Sequence, residues 1–350
     1  MNRNSLTTLV MAGALALGAA LPAWAQEPPK PAQIVINDSG GDMQNAMRSV
    51  FYSEFEKRYG IKVVNTSPVD LGKLQAMVKS GNVEWAVTEI GGEDAIKAEQ
   101  SGLLEPLDLK IIDLSKFPEH LRNRKYVFPK SVYSTVMGYR TDAFKGDKPQ
   151  SWADFWNVQK FPGPRTMQNS PVDNLEFALI ADGVPKDKLY PLDLDRAFKK
   201  MDQIKKHVAV WWTTGAQSAQ VLIDKEAVLG TAWNGRYYSL IKQGGPIAIE
   251  WNQGAIKESA FAIPKGAKDA YWGQKFLAVA AEAQPQGKYA DVIGYPGLNL
   301  EAIKFTDPKV APFLPTYPDH LPKQFWTDLA WWNDNGAAVK ERWARWMLSN

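Results

Sequence analysis

The sequence predicts an α/β fold, and three observations carry that prediction. Short apolar runs at residues 33–37, 61–65 and 84–89 alternate with amphipathic stretches of helical length, the β-α-β-α order of a mostly parallel sheet. A second alternation of helix, strand, helix and strand fills residues 211–251, with Asn234-Gly235 and Gly244-Gly245-Pro246 as its tight turns. Fourteen tryptophans, many beside turns and polar residues, place aromatic surface where strands end and helices begin, which is where α/β sheets bind ligands. In the second stretch those ends carry Trp212, Thr214, Trp233, Arg236 and Trp251, an aromatic surface with one fixed cation.

The first 25 residues are predicted to be a signal peptide. Arg3 supplies the basic start, residues 6–21 are apolar and small, and Ala23-Trp24-Ala25 is an A-x-A cleavage site before Gln26. The run is too short and too rich in Ala and Gly to span a bilayer. The chain has no cysteine, which excludes disulfides, thiol catalysis, thiolate metal sites and a cysteine-linked lipid anchor. The mature protein is expected to be exported and soluble. A net charge of +3 that includes Arg3, with no basic run or acidic tail, gives no reason to expect nucleic acid or an anionic membrane as partner.

The rest of a 350-residue chain is too long for one compact core. A Pro-rich lead-in at residues 26–33 precedes the first strand. Ser39-Gly40-Gly41 follows it, with two readings: glycines that permit a tight turn, or bare N–H groups at a helix start that bind a carboxylate. Met43, Met47, Val50, Phe51 and Phe55 share one side of the next helix, which Gly60 stops. Helices are predicted at residues 71–79 and 91–100, and a short link at 103–107. The second segment starts near Tyr139. Ser151 caps a helix with Asp154 in its first turn, and helices follow at 174–181 and 195–206. Strands at 228–233, 247–251 and 259–263, helices at 270–282 and a Trp-rich helical end at 326–348 complete the chain. There are no internal repeats.

Several motifs in order carry a resemblance: residues 55–63 (Phe-Glu-Lys-Arg-Tyr-Gly-Ile-Lys-Val), 102–107 (Gly-Leu-Leu-Glu-Pro-Leu), 151–156 (Ser-Trp-Ala-Asp-Phe-Trp), Trp233-Asn234-Gly235, 261–266 (Phe-Ala-Ile-Pro-Lys-Gly) and Ile293-Gly294-Tyr295-Pro296. The chain resembles a periplasmic solute-binding protein of an ABC importer, of the type II class and the spermidine/putrescine-binding group. The resemblance implies an α/β, two-lobed type II periplasmic binding protein with a hinged interdomain cleft. Lobe 1 is expected at residues 26–138 plus 262–303 and lobe 2 at 139–261 plus 304–350. The chain would cross near 137–141, near 258–262 and once more before the C-terminal helices. Ligand would sit between the lobes, and closure would present a surface to an ABC permease and its cytoplasmic ATPase, which is a separate chain. The protein is expected to work as a monomer without cofactor or metal.

Trp233 matches the family's pocket tryptophan before Asn-Gly, Tyr295 the tyrosine of the Gly-Tyr-Pro turn, and Asp173 falls about where the second lobe contributes an acid. Other positions depart from the polyamine pattern. Ser39-Gly40-Gly41 replaces aromatic residues after the first strand, Ser259 with Glu258 beside it replaces an ammonium-binding aspartate, and Trp332 replaces a glutamine. Arg236 puts a permanent cation at the pocket mouth, which repels a diamine and suits a carboxylate. This pattern is similar to the ω-amino-acid-binding branch of the group. Arg236 has a second reading, an ion pair with a protein carboxylate such as Asp173 or Glu89. The candidate ligand-binding set is Ser39, Gly40, Gly41, Glu89, Asp173, Trp212, Trp233, Arg236, Trp251, Glu258, Ser259, Tyr295 and Trp332. The expected ligand is an ω-amino acid or related carboxylate, with a linear polyamine as the runner-up. A ferric-ion site at Tyr237-Tyr238 is an alternative, disfavoured because His120, His207 and His320 lie far from the first strand. A secreted hydrolase is another; there is no G-x-S-x-G or H-E-x-x-H, although distant carboxylate pairs stay open.

Overall fold

A computed structural model describes residues 27–349; the predicted signal peptide lies outside the described residues. The chain divides into two units, residues 1–30 and 31–350. In the first, residues 27–30 are exposed and carry neither helix nor strand. The fold is that of the second unit. It opens with β1 (Gln33–Asn37), α1 (Gly41–Met47), a π-helical turn (Arg48–Tyr52), α2 (Ser53–Tyr59), β2 (Lys62–Thr66), α3 (Leu71–Ser80), β3 (Val87–Gly91), α4 (Gly92–Gln100) and β4 (Leu104–Glu105). A long strand β5 (Val127–Arg140) leads to α5 (Trp152–Trp156), β6 (Arg165–Gln168), α6 (Asn174–Ala181), α7 (Leu194–Lys205), β7 (Val208–Trp212), α8 (Gly215–Ile223), β8 (Leu229–Trp233) and α9 (Asn234–Lys242). A second long strand β9 (Ile247–Pro264) returns, followed by α10 (Ala270–Ala281), α11 (Ala283–Ile293), β10 (Phe325–Trp326) and α12 (Leu329–Leu348).

Local chemistry sets these limits. Gly60, at φ 70°, ends α2 in the left-handed region that a Cβ disfavours. Asp70, Ser151, Thr214 and Asp328 cap α3, α5, α8 and α12 by accepting a first-turn backbone N–H.

The strands form one sheet in the order β2-β1-β3-β9-β5-β8-β6-β7, with β4 and β10 on β9. Each end is parallel, β2-β1-β3 on one side and β8-β6-β7 on the other. The centre, where β3, β9, β5 and β8 pair in turn, is antiparallel. The sheet is therefore mixed, which corrects the mostly parallel sheet expected from residues 33–89. The expectation fails because β5 runs against β9 and β8 and β9 runs against β3, β4 and β5, and neither belongs to a β-α-β unit. Residues 247–251 and 259–263 are also one strand, not two. Between them the pairing with β5 is irregular: Gln253 takes φ 63° where the register shifts between Thr135 and Met137.

Two main cores lie along this sheet. Ile34, Ile36, Phe51, Phe55, Trp85, Phe128, Phe261 and Phe276 belong to the first. Met137, Trp152, Phe155, Leu175, Phe198, Ala255, Trp332 and Trp343 belong to the second. Strands β5 and β9 serve both. At ~3.3 Å per residue a strand of this length reaches over ~40 Å, enough to cross from one core to the other. Their middle stretches are buried but polar, with Ser131, Ser134, Thr135 and Lys257 between the cores.

That polar stretch is neutralised locally. Lys130 of β5, fully buried, pairs with Glu89 of β3. Glu89 also accepts from the Ser39 N–H at 2.9 Å, the Ser39 hydroxyl at 2.5 Å and the Ser259 hydroxyl at 3.1 Å. Burial pushes the Glu89 carboxyl up, but Lys130 and Ser39 outweigh it and hold the group below the usual carboxylate range. Lys257 of β9 pairs likewise with Asp173, which also accepts from Thr135 at 2.6 Å and Thr327 at 3.2 Å. Beneath them Glu176 accepts through Oε1 from the Trp332 indole at 2.7 Å and the Tyr190 hydroxyl at 2.6 Å. Its Oε2 is buried without a partner. Burial, with Asp173 nearby, pushes the Glu176 carboxyl up to about 7, so a proton on Oε2 fits its surroundings.

Lys130→Met leaves Glu89 as an uncompensated buried charge and should destabilise the protein by about 3–5 kcal/mol in denaturant titrations. Adding Glu89→Gln should recover much of that loss, and a double variant no more stable than the single one would show that the pair is not the cause. For Glu176 the folded pKa of about 7 exceeds the ordinary 4.5. The folded protein thus keeps a proton that the unfolded chain releases, so this stability is full below the lower value and is lost as pH rises through the upper one. Thermal midpoints of wild type and Glu176→Gln, compared from pH 5 to 8, should diverge in favour of the variant as pH rises; parallel curves would exclude this role.

Candidate functional site

Where the first-core strands and the helices beyond β5 and β9 face each other, a cavity of about 660 Å³ opens. Its lining comes mainly from four places in the chain: Ser39 to Met43, Glu89 to Gly91 on β3 with Asp94 of α4, Thr214 to Ala216 at the start of α8, and Trp233 with Arg236. Val69, Tyr133, Glu258, Ser259 and Tyr295 complete it. A second cavity of about 380 Å³ shares Gly91, Asp94, Tyr133 and Trp233 with the first and adds Gln168, Asp173, Lys257 and Trp332.

The two turn motifs singled out in the sequence hold each other. Asn234 accepts from the Ser134 N–H at 3.0 Å and donates to the Gly294 carbonyl at 2.8 Å. A Cβ on Gly235 would stand 2.4 Å from the Ile293 carbonyl and 2.7 Å from the Tyr295 ring, so only glycine fits. Tyr295 is pressed against the start of α9 in this way. Its ring lies 5.8 Å from Tyr133, and Tyr133 stands edge-on to Trp233 at 6.2 Å. Burial pushes the Tyr133 and Tyr295 phenols well up, so the wall they form with Trp233 is neutral.

Arg236 sits in the first turn of α9. Its Nη1 is 3.0 Å from Oδ2 of Asp42, an exposed residue in the first turn of α1. Its Nε is buried and has no acceptor. A Cβ on Gly215 would come within 2.5 Å of that nitrogen, so Gly215 gives the guanidinium its place beside the α8 start. The helix N-termini of α8 and α9 add their positive ends to the same side of the cavity. The alternative reading of Arg236, an ion pair with a protein carboxylate, is met by Asp42 and not by Asp173 or Glu89, which Lys257 and Lys130 occupy.

Of the thirteen candidate residues, Ser39, Gly40, Gly41, Glu89, Trp233, Arg236, Glu258, Ser259 and Tyr295 line the larger cavity, and Asp173 and Trp332 the smaller. The Ser39 and Gly40 N–H groups are already used, donating to Glu89 and to Asp38 at 2.9 Å each. With Gly40 at φ 71° and Gly41 at φ 59°, the tight-turn reading describes this segment, and these two amides are not an open anion cradle. Glu258 faces Arg124 at 3.3 Å. Two tryptophans do not reach either cavity. Trp212 is fully buried behind Trp233, edge-on at 5.6 Å, and Trp251 stacks on His320 at 4.4 Å. Strand ends place a residue near a cleft, but side-chain alternation turned these two rings into the packing.

Tyr237 and Tyr238 are buried outside the cavity. Gly138 and Gly230 leave room for the Tyr237 ring, and the Tyr238 hydroxyl donates to the Asp291 carbonyl at 3.0 Å. Burial raises both phenols. Sequence reasoning missed Asp42, Asp94, Lys130, Tyr133 and Lys257. Lys130 leaves a signal, a charge inside an otherwise strand-like run, whereas Lys257 stands beside Glu258 and does not; Asp42 and Asp94 look like ordinary first-turn acids.

Known proteins match this chain along most of its length. The family model described as bacterial extracellular solute-binding protein matches residues 51–316. The gamma-aminobutyric acid-binding protein of Pseudomonas aeruginosa PAO1 is 32% identical over 320 residues, 89% of this chain and 90% of that protein. The solved Atu4243-GABA receptor has a TM-score of 0.84 at 38% identity, over 91% of this chain and 98% of its own. An ABC transporter substrate-binding protein from Bradyrhizobium japonicum USDA 110 has a TM-score of 0.85 at 38% identity, over 91% of this chain and 100% of its own. With a family match over more than half its length and these similarities in sequence and fold, the chain belongs to the bacterial extracellular solute-binding protein family.

Proposed function

We propose that this solute-binding protein captures a small ω-amino acid, of the 4-aminobutyrate type, for an ABC importer. The observation that carries the reading is Arg236: a fixed cation in an aromatic-walled cavity, with a buried Nε–H that has no acceptor and an ion-pair partner exposed to water. A ligand carboxylate completes that guanidinium's hydrogen bonds, and Asp42 turns to solvent at little cost. Trp233, Tyr133 and Tyr295 cover the apolar spacer. A diamine fits less well, because one ammonium would face Arg236. The relatives named for 4-aminobutyrate support the same class.

Residues that bind ligand would come from elements rooted in both cores, so binding favours the closed form of a hinge made by the middle of β5 and β9. Lys340 of α12, which pairs with Glu93 of α4, adds a cross-cleft contact on the far side. The closed form would be read by a permease and its ATPase, with the protein working in the periplasm and releasing its ligand unchanged. Among the described residues no helix is long and apolar enough to cross a membrane.

A thermal-shift and calorimetry panel of 4-aminobutyrate, related ω-amino acids, putrescine and spermidine tests the ligand class. Ligand at a hundred times its Kd should add roughly 2.7 kcal/mol of stability. The ω-amino acids should shift the midpoint and the polyamines should not; the opposite pattern would overturn the reading. Arg236→Ala should weaken the carboxylate ligand by about 2–5 kcal/mol, and undiminished affinity would remove Arg236 from the site.

A further inference from the structure

Charges lining the two joined cavities cancel almost completely. Asp42 faces Arg236, Glu89 faces Lys130, Asp173 faces Lys257, Glu258 faces Arg124, and Glu93 faces Lys340 and Lys97. Asp94 is the exception. Among the described residues it is the acidic side chain of this lining that has neither an ion pair nor a side-chain hydrogen bond. It stands in the first turn of α4, where the positive end of the helix supports a carboxylate without a partner. It lines both cavities, as do Tyr133 and Trp233, whose ring faces attract a cation.

From this we infer that Asp94 binds the ammonium end of the ligand, at the junction of the two cavities. The inference rests on the ω-amino-acid reading of Arg236 and extends it to the second charge. A zwitterion then leaves the cleft balanced: its carboxylate takes the guanidinium from the exposed Asp42, and its ammonium supplies the cation that Asp94 lacks. Lys257 lines the smaller cavity too, but its charge is matched by Asp173. The arrangement selects the spacing between the two ligand charges, since each end has one fixed partner. It also explains how Ser259 and the lysine-bound Glu89 and Asp173 can line the site while the ammonium is bound elsewhere.

The test compares 4-aminobutyrate with butyrate, which keeps the carboxylate and lacks the ammonium, by calorimetry on wild type, Asp94→Asn and Arg236→Ala. Wild type should prefer 4-aminobutyrate by on the order of ten- to a hundredfold, the range of a hydrogen bond to a charged group. Asp94→Asn should reduce that preference to a few-fold while leaving butyrate binding intact, and its ligand-free thermal midpoint should stay near that of wild type. Arg236→Ala should weaken both compounds alike. If Asp94→Asn keeps the full preference, Asp94 is not the ammonium partner, and the role of Arg236 stands. If wild type binds butyrate as well as 4-aminobutyrate, no ammonium subsite exists. If wild type binds neither compound but responds to a diamine, the ω-amino-acid reading fails and this assignment falls with it.

Discussion

The antiparallel pairing of β5 with β9 is the constraint on which the rest of the molecule depends. These two strands are long enough to contribute to both cores, and their paired middles are the place where neither core is apolar. A buried polar ladder is tolerable only if its charges are matched. Each strand meets that condition with one lysine: Lys130 from β5 holds Glu89, and Lys257 from β9 holds Asp173. The floor between the cores is thereby made rigid, neutral and still hydrogen-bonded to β3 and to the segment after β1. A cleft with such a floor can present charge only at its walls.

On the walls the charge is less fully matched. Arg236 is held by its helix, by Gly215 and by the start of α8, but the carboxylate facing it is exposed and easily released. Asp94 is held by its helix and faces no cation. One weakly satisfied cation and one unpaired anion, separated by a neutral aromatic wall, would suit a molecule with the complementary charges and an apolar spacer, which is the ligand proposed above. Family membership makes the chain a solute-binding protein; on the proposed reading this pattern of charge narrows which solute.

The aromatic wall in turn depends on two small turns that are distant in sequence. Asn234 ties the end of β8 to Gly294, and Gly235 leaves the space that the Tyr295 ring and the Ile293 carbonyl occupy. Trp-Asn-Gly and Ile-Gly-Tyr-Pro read in sequence as separate turn signals. In the fold they are one joint, which sets Tyr295, Tyr133 and Trp233 against each other.

The strands β5, β6 and β7 were not legible in the sequence. By itself it determined much of the alternation of elements, many of the helix limits and the excess over one core's worth of chain, and it singled out Trp233, Arg236 and Tyr295 as candidates. Those features are local: periodicity, caps, turn residues and the exposure that a permanent charge demands. What only the tertiary structure decided is which carboxylate each cation meets. Arg236 was legible as a cation seeking a carboxylate, but its partner is 194 positions away. Asp173 and Glu258 looked available to an ammonium group, but in the fold Lys257 and Arg124 stand beside them. Trp212 and Trp251 were legible as aromatic residues at strand ends, yet the pleat sends them into the packing. The mixed sheet was hidden for the same reason, since an antiparallel crossover strand has the local pattern of any buried strand. Pairing energy falls off within a few ångströms, whereas distance along the chain says almost nothing about distance in space, so the charge balance of the cleft belongs to the fold alone.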